Sequence, residues 1–245
     1  MKVSLPIAAL ALTFCCLVFP KGATAQDQSA PVAKATRPDI PGLFLVDFGL
    51  NQALNQPKTG FKRGFFGSRT LNVMYYLPIR LGQSKFTLNP GVGFAMERFK
   101  WANFYLLKDT TKLAEVYDLV PNRTYPRLKK SQLIMNYLEV PLEFRFDANP
   151  ADPSRTFWAS VGGQVGFLIS SQTKLKYKDD GIMNKLKDRD RFGLNPIRYS
   201  AILRFGVGGF GWFVNYNLTP LFQTGKGPRG TDLTVLTAGI TINGL

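Results

Sequence analysis

The chain has 245 residues, with 31 lysines and arginines against 16 acids for a formal net charge of +15, no histidine and two cysteines. Without histidine there is no Ser-His or Cys-His nucleophile pair, and with two cysteines the usual zinc sites are excluded as well. After the opening residues no apolar run is long enough for a helix to cross a bilayer.

The first residues read as a secretory signal: Lys2 supplies the positive start, 7–19 is a nearly uncharged apolar run, and Ala23-Thr24-Ala25 gives the A-x-A cleavage pattern. Cleavage is expected after Ala25. Cys15 and Cys16 raise the alternative of an acylated lipoprotein, but Thr13 and Phe14 stand where that processing wants small residues. Both cysteines leave with residues 1–25, so the exported chain forms no disulfide and depends on strand pairing and burial. Lys2 and Lys21 leave too, and no acid does, so the remainder stays strongly basic. Residues 26–41 are polar and dotted with Pro31, Pro38 and Pro41, the pattern of a flexible periplasmic tail.

From residue 42 to 245 the chain shows eight segments of period-two alternation, at 43–51, 69–80, 85–101, 132–146, 156–170, 195–207, 210–219 and 233–243. The clearest is NYLEVPLEFRF at 136–146. Leu138, Val140, Leu142, Phe144 and Phe146 share one face there, while Glu139, Glu143 and Arg145 share the other. Segments this long suit strands tilted across a bilayer, which need about 9–11 residues. Their connections alternate as well. LGQS at 81–84, the turn at 147–155 and Gly208-Gly209 are short; 51–68, 102–131, 171–194 and 220–232 are long and polar. That rhythm predicts an all-β fold, an eight-stranded antiparallel up-and-down transmembrane β-barrel with short periplasmic turns, long extracellular loops and both termini in the periplasm.

In such a barrel the apolar parity meets lipid and the other parity fills the lumen. The lumen parity carries four acids (Asp47, Glu97, Glu139, Glu143) and four arginines (Arg80, Arg145, Arg198, Arg204). Confined charge is costly unless paired, and arginine can hold a carboxylate through two parallel hydrogen bonds. A filled, ion-paired lumen without an open pore is therefore expected, since eight strands enclose only enough room for side chains. Glu139 and Glu143, four apart on one face, could in principle do acid–base work, but a filled lumen offers a substrate no cleft. GVGGFG at 206–211 has the look of a phosphate loop; no helical pattern follows it, so it reads as a hairpin turn.

Much of the surplus positive charge falls in the long loops: Lys62 and Arg63 in the first, Lys129 and Lys130 in the second, and Lys174, Lys176, Lys178, Lys185, Lys187, Arg189 and Arg191 in the third. Attraction to lipopolysaccharide phosphates at the barrel rim is one reading, and solvated loops are the plainer one, because Asp179, Asp180, Asp188 and Asp190 interleave. Nucleic acid is not expected as a partner, and no cofactor or metal is expected. Tyr75, Trp101, Tyr105, Trp158, Tyr199, Trp212 and Tyr216 are candidates for interfacial aromatic girdles.

FGLN at 48–51, NPGVGF at 89–94, YLEVPLEFRF at 137–146 and LTAGITINGL at 236–245 resemble the PorT-like outer-membrane β-barrel family of the Bacteroidota. The resemblance implies an outer-membrane location, a small antiparallel barrel, no catalytic motif and, for some members, a part in type IX secretion and gliding. The expected function is non-enzymatic, structural or accessory, with secretion-machinery or surface partners. The alternative is a surface binding protein whose basic loops contact a polyanion or protein. A small conducting channel is the third reading.

Overall fold

The computed structural model describes residues 42–55, 67–101, 104–109, 116–152, 155–228 and 232–244. The expected signal, the tail at 26–41, and Lys62 and Arg63 lie outside them. Twelve strands follow in order: β1 (Leu43–Leu54), β2 (Arg69–Tyr76), β3 (Ile79–Arg80), β4 (Phe86–Trp101), β5 (Phe104–Asp109), β6 (Val116–Pro121), β7 (Lys130–Asp147), β8 (Phe157–Asp179), β9 (Ile182–Arg189), β10 (Ile197–Val207), β11 (Phe210–Asn217) and β12 (Thr234–Asn243). Eight of them, β1, β2, β4, β7, β8, β10, β11 and β12, pair antiparallel in sequence order, and β12 pairs back onto β1 from Leu45↔Asn243 to Leu54↔Thr234. The sheet is closed. β3 prolongs the wall beside β4 beyond Pro78, which lacks the N–H a continuous strand would donate.

The expected parity appears in the burial. Outward-facing Phe94 is 55% exposed and Val161 57%, whereas inward-facing Asp47 is 0% and Arg204 1%. Bare hydrocarbon outside and hidden charge inside is the inverse of a water-soluble sheet. Leu50, Leu142, Leu203 and Trp212 continue the oily belt around the wall.

Two of the long connections differ from their expected loop character. Residues 102–131 contain the β5–β6 hairpin, and in 171–194 β8 runs on to Asp179 before turning back as β9. The reason is local. Thr173-Lys174-Leu175-Lys176-Tyr177-Lys178 alternates perfectly, and Asp180 and Gly181 take positive φ of 41° and 85°, as a two-residue hairpin turn requires. β7 and β8 therefore carry the wall well past the lipid belt, and β9 extends it on the far side of β8.

Close approach inside the wall explains particular glycines. A Cβ on Gly162 would collide with the Leu142 carbonyl, while one on Gly163 meets only the Ser200 carbonyl at 3.8 Å. Gly49 and Gly239 face each other across β1 and β12, and the Phe213 ring fills the room they leave. Gly162→Ala should cost about 1–3 kcal/mol of stability through wall displacement. Gly163→Ala should change it by less than about 0.5 kcal/mol. Urea titration of the folded, heat-modifiable band on a detergent gel reads both.

Candidate functional site

The interior is built in levels. At the end of the short turns Leu45, Met74 and Tyr76 pack together, and Trp158 donates its indole N–H to the Gly208 carbonyl in the β10–β11 turn at 2.8 Å. Arg145 pairs with Asp147 at 2.9 Å and lies 4.5 Å from the Trp158 ring centre.

Above them Arg204 sits at the middle of the lumen. Its Nη1 bonds Asp47 at 2.5 Å and its Nε bonds Glu143 at 3.0 Å. Those two carboxylates are held in turn by neighbours. Tyr76 and Ser160 donate hydroxyls to Glu143, Thr241 donates its hydroxyl to Asp47 at 2.6 Å, and Asn72 donates its amide to Asp47 at 3.2 Å. The arrangement joins β1, β7 and β10, which alternation alone could place on one face but not within bonding reach. One level higher Arg198 bridges Glu97, at 2.7 Å, and Glu139, with its guanidinium 3.8 Å from the Tyr137 ring centre. Gly166, opposite Glu139, leaves the space through which Arg198 reaches across.

Of the eight residues read as lumen charge, six meet in these two clusters, in each of which one arginine serves two carboxylates. Arg80 and Arg145 do not join them. Arg80 lies exposed on β3, because β3 falls beyond the buried part of the wall, and Arg145 is taken by Asp147 two residues along its own strand.

The end of the lumen under the long connections was not legible as such. Phe99, Trp101, Leu133, Met135 and Tyr137 from the wall pack with Tyr117 and Leu119 of the β5–β6 hairpin and with Phe192, Leu194, Leu221, Phe222 and Leu233 from the connections. This is an apolar stopper over the charged levels. Phe192-Gly-Leu194 and Leu221-Phe222 were its signal, apolar pairs inside stretches otherwise read as polar loop. Tyr117 also donates its hydroxyl to Asp190. That bond holds the Asp190 carboxyl below the ordinary aspartate range. A lowered value contributes stability that is present above the unfolded pKa and lost as pH falls through the folded one.

Six of the bases of the third connection fall on two strands rather than on a free loop. Lys174, Lys176 and Lys178 stand on β8 and pair in register with Lys187, Lys185 and Met183 of β9; Arg189 ends β9, Lys130 begins β7 with Lys129 just before it, and Arg191 lies two residues past β9. Among the described residues no three acidic, histidine or cysteine side chains converge as metal ligands would.

Arg204→Met should strand two buried carboxylates and cost about 3–5 kcal/mol. Asp47→Asn and Glu143→Gln added to it should recover part of that loss, as read from the urea midpoint. Tyr117→Phe should weaken the stopper at neutral pH and lose its sensitivity to acid. Hydrogen exchange around residues 190–194, followed from pH 6 down past the aspartate range, compares the variant with the wild type.

Several comparisons bear on this barrel. No curated protein matches the chain. Among solved structures it is similar to Ail, the attachment invasion locus protein of Yersinia pestis, solved alone and in complex with the heparin analogue sucrose octasulfate. That similarity has 13% identity and a TM-score of 0.36, covering 83% of this chain and 97% of that one. It is also similar to the N-terminal β-barrel domain of Pseudomonas aeruginosa OprF, with 7% identity, a TM-score of 0.27, and 83% and 98% of the two chains covered. A family model described as the outer membrane protein beta-barrel domain matches residues 42–223, and the chain belongs to that family.

Proposed function

We propose that this protein is a non-enzymatic, non-conducting outer-membrane barrel that acts through its extracellular face. The observation that carries the reading is the interior: the Arg204 and Arg198 clusters cross the lumen from wall to wall, and an apolar stopper lies over them. An ion would have to break charge pairs that are almost wholly buried, and a substrate has no cleft to enter. Planar bilayers containing the purified protein should show no steady single-channel current. Steady currents from the wild type would favour the channel reading and end this one.

Export belongs to the same proposal, with a signal at 1–25, a periplasmic tail at 26–41 and both termini in the periplasm. Mass spectrometry of the membrane-extracted protein should find Gln26 as the first residue. An accessory part in type IX secretion rests on the PorT-like resemblance, and a deletion strain assayed for export of type IX cargo tests it.

A second reading has its own support. The bases of β8 and β9 share one face of a sheet standing beyond the lipid belt, so they present an array and not scattered charges. Polyanion binding at the cell surface is what such an array would do. Replacing Lys174, Lys176, Lys178, Lys185, Lys187 and Arg189 by glutamine should abolish retention on a heparin column while leaving the heat-modifiable fold intact. Unchanged retention would reject the reading.

A further inference from the structure

The basic array reaches farther around the wall than β8 and β9. Arg69 of β2 is the register partner of Arg98 on β4, and Lys100 lies two residues further along the same outward face. Lys130 of β7 stands opposite Lys176, and Lys174 opposite Lys187. Five adjacent strands thus turn bases outward over three successive outward rungs of the register. Asp179 and Asp188 are in register with Ile182 and Thr173 and turn to the other face. Among the described residues no carboxylate forms an ion pair with any of these bases. Neighbouring strands lie about 4.8 Å apart, so the charges repel one another well within the screening length. Lys130 registers this: partial burial first, then Arg98, Lys174, Lys176 and Lys100, hold its ammonium below the ordinary lysine range.

The height is the second observation. On the outward face of β4 the residues immediately below are Met96 and Phe94, both exposed and apolar, while on β7 and β8 Gln132, Asn136, Gln172 and Ser170 come between the lysines and the exposed Val140, Phe167 and Ile169. On β4 the bases begin at the edge of the lipid belt, and on β7 and β8 they stand beyond a short polar band above it. Two depressions in the outer wall run up to them. One of about 350 Å³ is floored by Phe48, Leu71, Met96 and Ile134 and includes Arg69 and Arg98. The other, about 570 Å³, lies where Ala238 is small among Leu50, Trp212, Val214 and Ile240, and it too includes Arg69. A soluble polyanion has no use for apolar grooves beneath its charges, whereas a lipid with a phosphorylated headgroup uses both.

We propose that this outer face binds a phosphorylated outer-leaflet lipid of the lipopolysaccharide class, with phosphates on Arg69, Arg98, Lys100, Lys130, Lys174 and Lys176 and acyl chains in the two wall grooves. The inference rests on the polyanion reading above and narrows it to one source and one set of residues. The paired arginines supply forked donors that match phosphate oxygens, and the lysines add point charges around them. Binding relieves the repulsion along the rows and anchors the extended sheet to the membrane surface.

The test uses the full-length protein in nanodiscs of zwitterionic phospholipid, titrated with purified lipopolysaccharide or with the same material after phosphatase treatment. The wild type should gain thermal stability and hydrogen-exchange protection over 98–100, 130–134 and 172–176 with the phosphorylated form only. The R69Q/R98Q/K130Q/K174Q variant should need at least tenfold more lipopolysaccharide for the same gain, with heat-modifiable migration showing that it still folds. Ala238→Phe, which fills one groove and leaves every base in place, should also weaken the response. Equal responses to the dephosphorylated lipid, or an undiminished response in the fourfold variant, overturn the proposal. If soluble heparin displaces the lipid effect completely and Ala238→Phe is silent, the occupant is a soluble polyanion; the broader reading then stands and this one falls.

Discussion

Hydrocarbon offers a peptide group nothing to bond with, so a sheet standing in a bilayer must close on itself. The pairing of β12 with β1 does this, and the rest of the molecule answers to it. Closure at eight strands leaves an interior the width of a few side chains, in which any charge must find its opposite without help from water. Arg204 and Arg198 meet the demand by each gathering two carboxylates from strands on other parts of the wall. Closure also brings backbones close enough at Gly162 and Gly239 that a methyl group does not fit.

The three surfaces that result are specialised. The outer wall is oily over the membrane and basic just beyond it. The lumen is polar in the middle and apolar at the end of the long connections, where the β5–β6 hairpin and the turns around Phe192 and Phe222 cover it. The extension of β7 has one face on that stopper, through Leu133, with Leu175 of β8 buried on the same side, and the lysines of β7, β8 and β9 turn outward on the other. A short alternation of lysine with leucine or tyrosine therefore does two jobs at once.

The barrel itself was legible because period-two alternation and the rhythm of short and long connections are both local signals. Parity sufficed to put Asp47, Glu97, Glu139, Glu143, Arg198 and Arg204 inside. It could not say which acid meets which arginine, since that depends on shear around the closed sheet. It also could not see that Asp147 would take Arg145 or that β3 would leave Arg80 outside. The β8–β9 hairpin was missed for a different reason. Its outward residues are lysines rather than aliphatics, so a stretch with good strand alternation and an Asp-Gly turn looked like solvated loop. Phe192, Leu194 and Leu221 were missed because isolated apolar residues in a connection gain meaning only when the mouth they cover is known.

The partners in the central cluster come from opposite ends of the chain, Asp47 and Arg204 being 157 residues apart. A hairpin that entered the bilayer alone would carry its carboxylate or guanidinium into oil with nothing to neutralise it. Stepwise threading of one hairpin after another is therefore an uphill route for this polypeptide. Assembly favours a path in which early and late strands approach together at the membrane surface and sink as a nearly complete ring, and this gives the insertion machinery of the cell a reason to hold the N-terminal strand until the last one arrives.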